Sequence, residues 1–118
     1  MYLSVYITAA DADEAERIAM TLVEEKLAAC VNFFPCRSVY RWKGDLEKAD
    51  ECVLLCKTRL SLFEQLRDRV RAIHSYDVPA IVAFDVAVGD SQYLEWIEEE
   101  TSPEPSDKSD RHRVQSEE

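Results

Sequence analysis

Few residues of this chain combine the types and spacing that catalysis requires, and His74 is the first of them. Asp77 follows it after two residues, whereas the other histidine, His112, lies in a charged C-terminal segment. General acid–base catalysis needs a titratable group that is held beside a positioned partner. The sequence places no serine or cysteine nucleophile for His74 by any recognisable spacing. We therefore predict no catalytic residues and expect that the protein is not an enzyme.

Four cysteines, Cys30, Cys36, Cys52 and Cys56, are candidate ligands for a soft metal ion. They form no Cys-x-x-Cys pair, and Cys52 and Cys56 would lie roughly 13 Å apart along one strand. Copper sites usually gather several thiolate or imidazole ligands. We therefore expect free thiols with structural roles. His74 would hold a structural position at a helix end, where its protonated ring would favour the helix dipole.

A second set of residues has the composition of a ligand cleft. Its members are two aromatic residues on one strand, a carboxylate and a lysine on the next, and a tyrosine and an aspartate further along: Tyr40, Trp42, Glu51, Lys57, Tyr76 and Asp85. Aromatic walls with one lysine and a carboxylate suit a small anionic or polar ligand. The alternative is that the aromatic residues pack at an interface and that Lys57 pairs with Glu51 or Asp85 across strands.

Composition limits the classes of partner. The chain has 118 residues, 47% of them hydrophobic, and a formal net charge of −10. Nucleic-acid binding needs a basic surface, so we expect no nucleic-acid partner. No run of eighteen apolar residues occurs, which argues against a membrane partner. No basic region precedes the first apolar segment, so we expect a cytoplasmic protein.

The elements that must position these residues follow from hydrophobic periodicity. The predicted order is a strand over 3–8, a helix over 11–26, strands over 30–42 and 47–58, a helix from about 61 to 74, a buried strand over 80–88 and a short helix after 91. Asp11 with Glu14 and Ser61 with Glu64 have capping-box spacing. Asp90 or Ser91 is placed to cap the last helix.

The two middle strands form a long β-ribbon that reverses at Lys43-Gly44-Asp45. Pro35 cannot donate to a ladder, so it marks a bulge, a bend or an edge. So short a chain cannot cover the whole ribbon, and exposed strand edges pair readily with another copy.

The order β-α-β-β-α-β predicts an α+β, ferredoxin-like sandwich, with the long ribbon and the short C-terminal helix added to it. Both helices of such a fold lie on one face of the sheet, so the other face needs covering by subunits. We expect one domain over residues 1–101. Residues 102–118 are rich in charge and contain two prolines, which predicts a disordered tail.

Several short segments together resemble the CutA family of divalent-cation tolerance proteins. They are residues 25–32 (E-K-L-A-A-C-V-N), 40–44 (Y-R-W-K-G), Glu51, residues 57–58 (K-T), residues 74–79 (H-S-Y-D-V-P) and residues 89–97 (G-D-S-Q-Y-L-E-W-I). They occur in the family's order and spacing over about the first hundred residues. The resemblance implies a ferredoxin-like subunit in a homotrimer, like the PII signalling trimers, whose ligands lie in clefts between subunits.

The resemblance also implies a role in copper or other divalent-metal tolerance. The family's copper proposal involves a first-strand cysteine, which corresponds here to Ile7, and a histidine pair, which is reduced here to Ile73-His74. Ser75 and Ala80 also depart from the family pattern near the proposed site. On this resemblance we predict metal tolerance through metal binding as the function, with His74 as the candidate ligand for copper or another divalent cation and its structural position at a helix end as the alternative. A PII-like small-molecule sensor and a structural scaffold are the alternatives.

Overall fold

The fold is a four-stranded antiparallel sheet with helices packed against it. The computed structural model describes residues 1–103. Its elements are β1 (Tyr2–Ala9), α1 (Ala12–Glu24), β2 (Cys30–Trp42), β3 (Asp45–Arg59), a 3₁₀ turn (Leu60–Leu62), α2 (Phe63–Ile73), β4 (Ile81–Asp85) and α3 (Ser91–Glu100). The strands lie in the order β2-β3-β1-β4. This order and the βαββαβ sequence confirm the predicted ferredoxin-like sandwich.

One face of the sheet forms the core with α1 and α2. Alternate residues of β1 and β3 point to this side and meet the apolar stripe of α1. The fully buried core side chains include Val5, Ile7, Ile18, Leu22, Leu54, Cys56, Leu66 and Val70. The opposite face carries the other residues of each strand, among them Glu51 on β3. The last helix, α3, reaches this face at one end, where Tyr2 bonds to Glu98 and Arg59 bonds to Thr101.

The helix starts show which capping predictions were right. Asp11 caps α1 by accepting a hydrogen bond from the backbone N–H of Glu14 at 2.8 Å. Asp90 caps α3 by accepting from the N–H of Tyr93 at 3.1 Å. The predicted box of Ser61 and Glu64 is wrong, because α2 begins without a side-chain cap. The residues before α2 form a 3₁₀ turn and are already helical, so no residue in an extended conformation stands in place to cap α2.

The ribbon is regular along its whole length. Its pairing runs from Cys30 opposite Lys57 to Trp42 opposite Asp45 without an interruption. Pro35 therefore makes no bulge, and it lies on the outer strand of the sheet, where a missing donor is tolerated. Lys43 (φ 51°) and Gly44 (φ 89°) both have left-handed conformations, as a tight two-residue hairpin requires.

The last strand is shorter and less buried than predicted. Strand β4 covers only Ile81–Asp85, and Val82 and Phe84 of its open side are 48% and 56% exposed. The apolar run over 80–88 predicted a buried strand. Such a run does not reveal whether both faces of the strand are buried or whether one face is exposed. The open side also carries Phe34, which is 44% exposed.

The structure bears on two further predictions, which concern a membrane partner and the C-terminal tail. Within residues 1–103, no helix is long and apolar enough to cross a membrane. Most of the charged segment predicted to be disordered, residues 104–118, lies outside the described residues. The domain boundary at residue 101 and the disordered tail therefore stay predictions.

Candidate functional site

A cleft of about 580 Å³ lies between the outer half of the ribbon and the turn that follows α2. Strand β2 contributes one wall, Glu51 of β3 and Thr8 of β1 form the base, and residues 75–80 form the other wall. The lining residues are Thr8, Ser38, Val39, Tyr40, Trp42, Glu51, Ser75, Tyr76, Asp77, Val78 and Ala80. Its volume is in the range of sites for small organic molecules.

Glu51 and Tyr76 are joined at the base of the cleft. The hydroxyl of Tyr76 donates a hydrogen bond of 2.6 Å to Oε2 of Glu51, across 25 residues of sequence. Burial and this hydrogen bond to a carboxylate both raise the pKa of Tyr76 above its usual range, so the phenol stays protonated and remains a donor. The bond ties the turn after α2 to the middle of the sheet.

Glu14 fixes the shape of that turn from the other side. Its Oε1 accepts from the N–H of Ala10 at 2.9 Å and from the hydroxyl of Ser75 at 3.0 Å, and its Oε2 accepts from the N–H of Ser75 at 2.7 Å. Burial alone would raise the pKa of Glu14, but the hydrogen bonds from Ala10 and Ser75 outweigh it and the pKa is lowered. The carboxylate therefore holds Ser75, and through the chain Tyr76, in place.

His74 is the residue that the sequence predicted as a metal ligand, and its ring is enclosed. Its side chain has no exposed area, and its Nε2 lies 2.7 Å from the carbonyl oxygen of Thr8. Its Nδ1 accepts from the N–H of Tyr76 at 3.0 Å. These contacts fit a neutral ring protonated on Nε2. Both nitrogens are engaged, so a metal ion at His74 would have to replace one of these contacts.

The walls of the cleft are aromatic. Tyr40 and Trp42 lie on the same side of β2, as their spacing predicted, and each is 42% exposed. The ammonium group of Lys43 lies 5.6 Å from the centroid of the Trp42 ring, within the range of a cation–π contact.

Four of the six residues predicted for the cleft come together there, namely Tyr40, Trp42, Glu51 and Tyr76. Lys57 does not reach it, because it lies six residues from Glu51 along β3, roughly 20 Å away. Its amino group donates to the side-chain oxygen of Asn32 instead, and the predicted pairing of Lys57 with Glu51 or Asp85 is not observed. Asp85 is exposed at the end of β4, opposite Leu3.

Sequence reasoning missed the contributions of Glu14 and Ser75 to this site. Glu14 was expected at a helix start and on the exposed side of that helix, which was wrong because its side chain is buried (3% exposed). Ser75 was noted only as a departure from a family pattern. These residues are 61 positions apart, so no local pattern connects them. Capping-box spacing did signal that the Glu14 carboxylate points back towards its own helix start, which is where the turn after α2 arrives.

The described residues bring few side chains together that could bind a metal ion. Within residues 1–103, no group of three or more His, Cys, Asp or Glu side chains is arranged to hold a metal ion. All four cysteines are free thiols, as predicted, and burial raises the pKa of Cys56 to about 12. A buried thiol with so high a pKa is a poor source of thiolate ligands. A single chain therefore does not fit a copper site at these residues.

The fold is that of a ferredoxin-like α+β protein, and comparison with known proteins identifies its family. A family model described as "CutA1 divalent ion tolerance protein" matches residues 3–100. The chain belongs to this family.

Among curated relatives, the chain is 48% identical over 99 residues to "Divalent-cation tolerance protein CutA" of Archaeoglobus fulgidus, which covers 84% of this chain and 97% of the relative. It is 47% identical over 98 residues to the protein of the same name from Thermus thermophilus, covering 82% and 95%. Among solved structures, "Structure of the Periplasmic divalent cation tolerance protein CutA from Archaeoglobus fulgidus" superposes with a TM-score of 0.85. The two share 46% identity, and the match covers 86% of this chain and all of that one.

Proposed function

We propose that the protein is a homotrimer that contributes to divalent-cation tolerance by binding a small molecule in the Tyr76–Glu51 cleft, as a PII-like sensor does. The cleft is the observation that carries this proposal. It combines a buried carboxylate, an oriented phenol and two exposed aromatic rings within about 580 Å³. Sites of this kind orient a ligand through a few polar groups and bind it through apolar contact. The proposal includes no catalytic step.

Assembly is supported by the surfaces that one chain leaves open. Val82, Phe84 and Phe34 on the open side of the sheet are between 44% and 56% exposed, and Val39 and Leu46 on the ribbon are each 67% exposed. Large apolar side chains that are left exposed on a sheet face and on a projecting ribbon indicate interaction surfaces. The ribbon also has a free outer edge along β2, onto which a neighbour's strand could pair. A trimer would place each cleft beside a neighbouring subunit.

A thermal-shift screen on the purified protein tests the ligand proposal, with sedimentation equilibrium to measure the assembly. Nucleotides, amino acids, organic anions and organic amines form the ligand panel. We expect a trimer, and at least one compound that raises the melting temperature in proportion to the logarithm of its concentration. Trp42→Ala should abolish that rise. The exposed Met20, on α1 away from the cleft, provides a matched control as Met20→Ala. A flat response across the panel would contradict the proposal.

Direct binding of copper or another divalent cation is the second candidate, and membership of a family of divalent ion tolerance proteins favours it. His74 is the residue to test, although its hydrogen bonds do not favour ligation. Equilibrium dialysis with copper at micromolar protein should then show saturable binding that falls in His74→Ala. Binding no greater than that of an unrelated acidic protein would end this candidate. A cytoplasmic location is part of the proposal, and cell fractionation tests it.

A further inference from the structure

We propose that the ligand of the Tyr76–Glu51 cleft is a small organic cation, with an ammonium or guanidinium group bound by Glu51. This inference rests on the proposed function, because it names the chemical class that the same cleft would take. It reverses the sequence-based expectation of an anionic or polar ligand, which depended on a lysine in the cleft.

The charge of the lining residues is the first support. Among residues 1–103, the lining of the cleft includes two carboxylates, Glu51 and Asp77, and no lysine or arginine. Lys57, the cation that the sequence placed there, bonds to Asn32 at the other end of the ribbon. A cleft lined by one sign of charge concentrates ligands of the opposite sign.

The burial of Glu51 is the second and stronger support. Glu51 is only 8% exposed, yet within residues 1–103 it forms no ion pair, and its one hydrogen bond is from Tyr76 to Oε2. The other oxygen, Oε1, accepts no hydrogen bond from these residues. It keeps some contact with solvent, because it is not one of the fully buried side-chain atoms that lack a hydrogen-bond partner. A buried carboxylate is unfavourable unless it is paired, so an incoming cation would be stabilised here.

The aromatic walls are the third support. Trp42 and Tyr40 stand over the same cleft with much of their rings exposed. Aromatic faces attract organic cations, and a cleft with several such faces suits a substituted ammonium group. The contact between the Lys43 ammonium and the Trp42 ring at 5.6 Å shows that this ring accepts a cation. Bare metal ions would gain little from these walls, whereas an organic cation would contact Glu51 and the rings together.

Small organic probes that differ mainly in charge test the inference. Butylammonium, tetramethylammonium and butylguanidinium are compared with neutral butanol and with butyrate, each at constant ionic strength, by titration calorimetry on the assembled protein. Tryptophan fluorescence provides a second readout, with Trp42→Phe to assign the signal to the cleft. We expect saturable binding of the cations and binding of butanol and butyrate that is at least tenfold weaker.

Two substitutions connect the binding to the proposed contacts. Glu51→Gln keeps the shape of the side chain and should weaken cation binding at least tenfold, whereas the charge-matched Glu24→Gln, at an exposed position on α1, should change it less than twofold. Lys43→Gln removes a competing cation from the Trp42 ring and should strengthen binding of the probe cations about twofold. Circular dichroism and sedimentation establish that each variant is folded and assembled.

The outcomes separate this inference from the proposed function. Preferential binding of butyrate or butanol would overturn the cation inference and leave the cleft as a ligand site. Equal weakening of cation binding by Glu51→Gln and Glu24→Gln would overturn it as well, because it would reveal only general charge attraction. If neither these probes nor the compounds of the thermal-shift panel bound, and Glu51→Gln also disassembled, the small-molecule proposal and the cation inference would both be overturned, since Glu51 would then pair with a basic side chain of a neighbouring copy in the trimer.

Discussion

Two buried glutamates lie on opposite sides of the same turn, and they are satisfied very differently. Glu14 is 3% exposed, and its two oxygens accept three hydrogen bonds from Ala10 and Ser75. Glu51 is 8% exposed, and within residues 1–103 only the hydroxyl of Tyr76 donates to it. The fold itself stabilises the charge of Glu14, whereas the second oxygen of Glu51 is left for an external partner.

This contrast indicates that different residues of the domain maintain the fold and line the candidate binding cleft. Glu14 connects the start of α1 to the turn after α2, so its hydrogen bonds maintain the fold. Glu51 lines an open cleft, and within residues 1–103 one of its two carboxylate oxygens accepts no hydrogen bond. Buried polar groups that are incompletely satisfied in a native structure often mark binding sites for that reason. The substitutions below measure this contrast at a fixed protein concentration, because subunit assembly contributes to apparent stability.

Glu14→Gln should have the largest effect. An amide in place of the carboxylate turns one acceptor into a donor that faces the donors of Ser75, which leaves buried groups unsatisfied. We expect the free energy of unfolding, measured by urea denaturation, to fall by about 2–4 kcal/mol. The control, Glu24→Gln on the exposed side of α1, should change it by less than about 0.5 kcal/mol. Similar small losses for both variants would mean that the Glu14 network does not stabilise the fold.

Tyr76→Phe should have the next largest effect, because it removes the one donor to a buried carboxylate. The expected loss in the free energy of unfolding is about 1–2 kcal/mol. Tyr2→Phe is a matched control, since the hydroxyl of Tyr2 also donates to a glutamate, Glu98, but on the exposed surface at 2.9 Å. The control should lose less than about 0.5 kcal/mol, as exposed pairs contribute little. Equal losses would show that the cleft contact is no stronger than a surface contact.

Glu51→Gln should change stability least among the three cleft and turn substitutions. Replacing the carboxylate removes a buried charge that is only partly satisfied, and the glutamine oxygen can still accept from Tyr76. We expect the free energy of unfolding to change by less than about 1 kcal/mol, and a gain in stability would agree with this reasoning. Urea denaturation without added ligand measures it. A loss as large as that of Glu14→Gln would show that Glu51 already has a full set of partners in the assembly.

The pH dependence of stability should reveal the charge of Glu14 by a smaller effect. The pKa of Glu14 in the fold lies below its ordinary value of 4.5, so folding favours the ionised form. Its contribution is therefore fully present above pH 4.5 and is lost as the pH falls through the pKa of the folded state. Wild type should lose more stability than Glu14→Gln between pH 6 and pH 3. Parallel pH profiles of the two proteins would contradict the role of the Glu14 charge.

Local patterns predicted most of the fold. Helical periodicity and the Asp11 cap placed α1, and strand alternation placed Tyr40 and Trp42 on one side of β2. The same reasoning failed where a local pattern has two structural solutions. Ser61 has capping spacing, but the chain enters α2 through a 3₁₀ turn, and an apolar run predicted a buried strand where Val82 and Phe84 are exposed. Each failure reflects tertiary context that a window of neighbouring residues does not contain.

The sequence alone determined the order of the elements, the faces of the ribbon and the aromatic wall of the cleft, because side-chain direction repeats with the period of each element. Only the tertiary structure decided which distant groups meet. Strand register set Lys57 about 20 Å from Glu51, and packing of the turn after α2 brought Ser75 to Glu14 and Tyr76 to Glu51. The charge of the cleft depends on those long-range contacts, since they place the carboxylates of Glu51 and Asp77 in its lining and leave Lys57 outside it.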